Sequence, residues 1–227
     1  MEVKHWWNET WYKIARAIVR AWVKLRFRCQ TIGTEKVPIQ EKLLLIANHS
    51  NMWDPFVVMA VLNRRITFLA KREIFVPIFG EILRSLKIIS VNRNGSDLAA
   101  ARATLSVLKQ GMAVGVFIQG TRVEQDEQEA AAVKTGAVYF AHQSKAPVLP
   151  VYLHWAPKPR YWWQRRSVVI VFGEAENLPP LVAGQRLDAK LRERMAIKLL
   201  EKILALGKNA AKLMGYQQKI SSQKSRP

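Results

Sequence analysis

From residue 43 onward, short and largely apolar runs alternate with longer stretches in which apolar positions recur every three or four residues. Leu43–Ala47, Ile66–Ala70, Ile88–Val91, Ala113–Ile118, Val148–Leu153 and Val168–Phe172 are runs of strand length, apolar on both faces, and are predicted to be buried strands. Between them, Pro55–Leu62, Arg72–Leu86, Ser96–Gln110 and Glu127–Ser144 carry the helical period, and a last helix is predicted from about Arg186 to Leu206. Strand and helix in alternation imply an α/β fold with a mostly parallel central sheet flanked by helices. In such folds, binding and catalytic residues collect in the loops beyond the carboxyl ends of the strands.

The first thirty residues have a different pattern. Trp7, Trp11, Ile14, Ile18, Trp22 and Leu25 form an apolar stripe between Trp6 and Phe27, and Lys13, Arg16, Arg20 and Lys24 form a basic stripe of the same period. This predicts a basic amphipathic helix lying in the plane of a membrane, because tryptophan suits the headgroup boundary and Lys and Arg are drawn to anionic lipid. A helix packing its apolar face on the body of the domain is the other reading of the same stripe. Gly33 and Pro38 mark a turn after it. The chain is accordingly expected to divide into a membrane-anchoring helix over 1–30, one domain over 31–207 and a basic polar tail over 208–227. The tail, rich in Lys, Gln and Ser, is expected to fray.

Charge narrows the range of partners. The 227 residues contain 36 Lys and Arg against 17 Asp and Glu, a formal net charge of +19 that seeks an anionic surface. An anionic bilayer and a nucleic-acid backbone both fit. No helix-turn-helix, zinc-finger or RNA-recognition signature is evident, and no nucleic-acid partner is expected. Cys29 is the single cysteine, which rules out an intramolecular disulfide and a cysteine-rich metal cluster. Met1–Thr10 lacks the pattern of a secretory signal, and no run approaches the ~18 apolar residues of a transmembrane helix. The expectation is a peripheral or monotopic protein on the cytoplasmic face of a membrane.

The candidate chemistry begins where the first apolar run ends. Leu43–Ala47 leads directly into Asn48-His49-Ser50-Asn51-Met52-Trp53-Asp54-Pro55, so His49 falls at a strand end and Asp54 at the start of a helix. A tight turn can return the Asp54 carboxylate to the imidazole, hold one tautomer and leave the other nitrogen as a general base. An N-capping Asp54 beside an ordinary loop histidine is the plainer alternative. Ser50 has no Gly-x-Ser-x-Gly elbow around it, so a serine hydrolase is disfavoured. Arg93 and Arg122 each come after a predicted strand, where a guanidinium can grip two phosphate oxygens. Gly120 would let backbone approach an anion closely.

Asn48–Asp54 resembles the His-x4-Asp motif of the glycerolipid acyltransferases, the family that includes the 1-acylglycerol-3-phosphate (lysophosphatidate) acyltransferases. Three further blocks recur in the same order. Val91-Asn92-Arg93 resembles the second, Phe117-Ile118-Gln119-Gly120-Thr121-Arg122 the third, usually Phe-Pro-Glu-Gly-Thr-Arg, and Pro147-Val148-Leu149-Pro150-Val151 the fourth. Gly33–Pro38 and Lys134–Ala137 resemble the family's segments before the first strand and between the last two blocks. The resemblance implies His49 and Asp54 as catalytic residues and Arg93, Gly120, Thr121 and Arg122 as binders of the acceptor phosphate. It also implies that Pro150 helps shape the donor side. It implies an acyl-CoA or acyl-carrier-protein thioester as donor and a lysophospholipid as acceptor, beside the anionic membrane surface expected from the charge; no cofactor and no metal are expected. The departure is Gln119, which replaces the family's glutamate with a neutral group of the same shape. If that glutamate orients Arg122 or the acceptor, Gln119 would do so more weakly, with reduced activity or a different lysolipid acceptor as the result.

Overall fold

A computed structural model of the chain describes residues 9–92, 97–161, 163–182 and 184–224. Their element order is α1 (Glu9–Arg26), β1 (Phe27–Ile32), β2 (Leu43–Ala47), α2 (Asp54–Val61), β3 (Ile66–Lys71), α3 (Phe79–Ser85) and β4 (Ile89–Val91). It continues with α4 (Leu98–Lys109), β5 (Ala113–Phe117), α5 (Gly136–Ser144), β6 (Val148–Trp155), β7 (Arg166–Phe172) and α6 (Ala189–Lys224). The strands form one seven-stranded sheet in the order β1-β7-β6-β2-β5-β3-β4. All pairs are parallel except β6 with β7.

Every residue of β2 is fully buried, consistent with a central parallel strand covered on both faces. On one face Leu43, Leu45 and Ala47 pack with α1, α2 and α3. On the other, Leu44 and Ile46 pack with α4, α5 and α6. The chain runs outward from β2 to β3 and β4 with helices on the first face, then returns through β5 to β6 with helices on the second. That change of face is what right-handed crossovers require when the direction of winding reverses. Leu45 of β2 lies opposite Gly115 of β5 and Leu149 of β6, so the loop after β2 opens between two parallel neighbours. A side chain on Gly115 would meet the Phe68 ring at 2.3 Å, so glycine there makes room for the core.

The predicted strands all form, but four expectations are corrected. Phe27–Ile32 is a strand paired with β7 and not the end of a helix leading into a turn, so the boundary placed after residue 30 falls inside the sheet. Arg72–Leu86 is not one helix. A 3-10 turn at Arg72–Ile74 is separated from α3 by a loop holding Pro77, which lacks an N–H and disfavours helix at the residue before it. Glu127–Ser144 likewise shortens to a 3-10 turn and α5, because the segment between them is tied to the end of β5 by Lys134 N–H donating to Ile118 O, one residue past the strand, at 2.7 Å. At the far end, α6 continues through Gly207 to Lys224, across most of the expected tail. Gly207 does not stop the helix. It lets α6 cross Tyr152, whose ring lies 2.8 Å from where a side chain would begin.

Helix α1 uses a face other than the expected stripe for packing. Tyr12, Val19 and Val23 are buried against the domain, whereas Trp11, Ile14, Ile18, Trp22 and Leu25 form an exposed outer ridge. Trp7 lies outside the described residues. Arg16 also turns inward, donating to Leu62 O at the end of α2, and the Arg65 guanidinium covers the Tyr12 ring at 4.7 Å. Among the described residues no helix is long and apolar enough to cross a membrane.

Candidate active site

The turn after β2 closes on Asp54. Its Oδ2 accepts hydrogen bonds from His49 Nδ1 at 2.8 Å and from the backbone N–H groups of Ser50 and Asn51 at 2.9 Å each. The Asp54 side chain is fully buried. Pro55 in the first turn of α2 suits a helix that begins at this aspartate. Because Oδ2 is an acceptor for three donors, His49 carries its proton on Nδ1. Nε2 therefore presents a lone pair. The ring is 13% exposed and lies flat on Phe117 of β5, centroids 4.1 Å apart, so it has one orientation and one accessible edge.

Residues of β6 and β7 complete this arrangement, and none is suggested by the motif. Trp155 of β6 donates Nε1–H to Asp54 Oδ1 at 2.6 Å, supplying the carboxylate's fourth donor from 101 residues away. The Arg166 guanidinium of β7 lies 5.1 Å over the Trp155 ring and donates through Nε to Ala156 O. Burial lowers its pKa, while attraction to Asp54 acts the other way. Asn48, also fully buried, uses its amide like a strand backbone: Nδ2 donates to Leu153 O at 3.0 Å and Oδ1 accepts from Leu153 N–H at 2.8 Å. The start of the turn is thereby sewn to β6.

The segment after β5 holds His49 by its main chain. Gln119 Oε1 accepts from His49 N–H at 2.8 Å, and Val123 N–H donates to His49 O at 2.8 Å. Gln119 does not reach toward Arg122. Its Nε2 donates instead to Gln128 Oε1 at 2.5 Å, and Gln128 in turn donates to Val123 O at 2.7 Å. Both glutamines are 2% exposed. Gly120 adopts φ +67°, and a side chain there would strike Lys134 Cγ at 2.7 Å. Thr121, Arg122 and Lys134 are exposed at the mouth of this turn. Arg93 lies outside the described residues. Pro150 is buried within β6 in register with Ile46 and accepts from Gly173 N–H. It sits inside the sheet, before the turn that carries His49.

Ser50 and Cys29 are not presented as nucleophiles. Ser50 Oγ is buried without a hydrogen-bond partner, and its N–H is committed to Asp54. Burial pushes the Cys29 thiol up to about 11, which keeps it a weak nucleophile at neutral pH. Among the described residues no group of His, Cys, Asp and Glu is arranged to hold a metal ion. The chemistry the site offers is an imidazole oriented by a buried carboxylate, with Arg122 and Lys134 exposed on the segment that follows β5.

Residues 28–154 match the sequence profile of the family described as Acyltransferase. This chain belongs to that family. Among its curated relatives, the 1-acyl-sn-glycerol-3-phosphate acyltransferase of Bacillus subtilis is 24% identical over 187 residues, covering 82% of this chain and 89% of the relative. The enzyme of that name from Pseudomonas aeruginosa is 26% identical over 201 residues, covering 83% and 76%. The crystal structure of the 1-acyl-sn-glycerophosphate (LPA) acyltransferase PlsC from Thermotoga maritima superposes with a TM-score of 0.61 at 22% identity, covering 86% of this chain and 80% of that one. The last comparison shows a shared α/β fold. In this acyltransferase, Trp155, Gln128 and Arg166 touch or support the His49 turn and escaped notice in the sequence, because Trp155 and Arg166 reach it from distant strands and Gln128 from a 3-10 turn that folds back on Gln119.

Proposed function

We propose that this acyltransferase transfers a fatty acyl group from an acyl-CoA or acyl-carrier-protein thioester to the free hydroxyl of lysophosphatidate, giving phosphatidate. The observation that carries the proposal is the His49–Asp54 contact with the proton fixed on Nδ1, which leaves Nε2 as the base. The acceptor hydroxyl gives its proton to Nε2 as its oxygen attacks the thioester carbonyl. The C–O bond forms, the C–S bond breaks, and the imidazolium returns the proton to the departing thiolate. Asp54 stabilises the imidazolium without taking the proton. Arg122 and Lys134, with Arg93 by resemblance, supply the positive charge for the acceptor phosphate. The names of the bacterial relatives support this acceptor.

The enzyme works as a peripheral or monotopic protein on the cytoplasmic face, where the anionic leaflet attracts a chain of formal charge +19. The outer ridge of α1 supports this placement, with Leu25 77% and Ile18 64% exposed. The test is to incubate the purified chain with labelled acyl-CoA and lysophosphatidate in anionic vesicles, alongside His49→Ala, and to monitor the diacyl product. Product from the parent alone supports the reading. Absence of product from the parent across CoA and carrier-protein donors and several lysolipids would overturn it in favour of a lipid-binding relative.

A further inference from the structure

The turn between β6 and β7, described at residues 156–161 and 163–165, carries features that acyl transfer does not use. Tyr161 and Trp163 stack with centroids 4.8 Å apart and planes 8° from parallel, yet remain 42% and 63% exposed. The Arg160 guanidinium lies over the Tyr161 ring at 5.4 Å. Lys158 and Arg165 share the turn, and no Asp or Glu occurs between Glu129 and Glu174. Exposed rings among cations, with no acidic neighbour in sequence, suit the boundary between headgroups and acyl chains.

The turn is also fastened to α1. Arg165 Nη2 donates to Lys24 O and Phe27 O, both at 2.5 Å, and Arg26 Nη1 donates to Gln164 O at 2.8 Å. The bonds from Arg165 satisfy carbonyls at and just beyond the end of α1, where helical partners run out. Together the three bonds place the turn beside the helix end that exposes Leu25, and α1 is likewise free of acidic residues from Thr10 to its end. The helix ridge and the aromatic turn are held as one basic, apolar surface.

We propose that Tyr161 and Trp163, with the neighbouring cations Lys158, Arg160 and Arg165, form a second lipid contact that docks, together with the outer ridge of α1, on an anionic bilayer. This rests on the membrane-bound acyltransferase reading above. A bilayer suits the surface better than an acidic protein, because the aliphatic ridge of Ile14, Ile18 and Leu25 has no hydrogen-bonding groups to meet a fixed polar partner. One helix alone leaves rotation about its axis free, and a second contact off the axis fixes the orientation. The docked side adjoins the site, since Trp22 of α1 packs on Trp53 at 4.3 Å and Phe27 packs on Trp155 at 5.1 Å.

The test compares the full chain with Tyr161→Ser/Trp163→Ser by co-sedimentation with phosphatidylcholine vesicles, with and without phosphatidylglycerol. Losing two inserted rings should weaken partition onto the anionic vesicles on the order of tenfold or more. Thermal unfolding should not change. Turnover of vesicle-embedded acceptor should slow, while turnover of a short-chain, water-soluble acceptor stays at the parental rate. Unchanged partition would overturn the proposal. So would unchanged partition combined with slower turnover of carrier-protein thioester alone, which would identify an acidic protein as the occupant. Failure of the acylation reading would appear separately, as no product from the unsubstituted chain with short-chain substrates, and would leave the partition measurement intact.

Discussion

Trp155→Phe tests one contact of the site, the indole N–H on Asp54. The substitution removes the Nε1–H that reaches Asp54 Oδ1 and keeps an aromatic ring to pack edge-on against Phe27, whose centroid lies 5.1 Å away. Asp54 is fully buried, so water does not replace the lost donor. A hydrogen bond to a charged acceptor contributes ~1.5–3 kcal/mol, and a domain of this size loses roughly 2–4 °C in Tm per kcal/mol. The expected fall is therefore roughly 3–12 °C by thermal unfolding. Turnover should drop on the order of tenfold, because the carboxylate that holds the imidazole loses one of its fixed partners, whereas KM for the acceptor should hold. The Asp54→Asn background separates positioning from packing. There the tryptophan faces a neutral acceptor, and the same substitution should cost only about 1 kcal/mol. Equal losses in both backgrounds, or an unchanged Tm and turnover in the parent, would refute the assignment of Trp155 as the residue that positions Asp54.

Gln119→Glu, which restores the residue usual in the family, is expected to destabilise the fold by ~1–3 kcal/mol and to leave turnover no higher than parental, measured by denaturant unfolding and product formation. A carboxylate would face Gln128 Oε1 acceptor to acceptor. Stability should also fall with acid through His154. Burial holds its pKa below the ordinary value, and its Nδ1 is buried without a partner. The unfolded chain thus takes up this proton first, at about pH 6.5, so the neutral ring's contribution is complete above that pH and is lost as pH falls toward the folded pKa. Denaturation midpoints across this range should flatten in His154→Gln, and an unchanged slope would exclude this residue as the cause.

The parts of the fold that could be read in advance are those buried on both sides. A strand such as Leu43–Ala47, fully enclosed, must be apolar at every position, and its run has no other simple reading. β1 escaped because it is an edge strand: Arg28 and Thr31 are exposed, and the segment continues from a helix without any breaking residue. The helical period of α1 was legible, but its packing face was not, since Tyr12, Val19 and Val23 form a second apolar line beside the more conspicuous tryptophans. At the site, six consecutive residues bring His49 and Asp54 together, so their contact is a local matter. Trp155 and Gln128 carry no such signature. They resemble any core aromatic or loop amide until β6 places the first and the fold-back after β5 places the second.

The geometry of the turn also explains why a neutral residue in the third block need not signal a lost base. His49 is held from the β5 side, through its ring on Phe117 and its N–H on Gln119, while Asp54 is held from β6 through Trp155. The demand on residue 119 at the His49 end is only for an acceptor oxygen, which an amide and a carboxylate both provide. They differ at the other end, where the amide donates and the carboxylate can only accept. In this chain that end meets Gln128 Oε1, whose own Nε2 is committed to Val123 O and Glu124 O. Gln119 and Gln128 are therefore matched in donor and acceptor sense, and substituting either alone should disturb the pair. Residue 119 thus acts on the support of the His49 backbone, at a distance from the imidazole nitrogen that would take the proton.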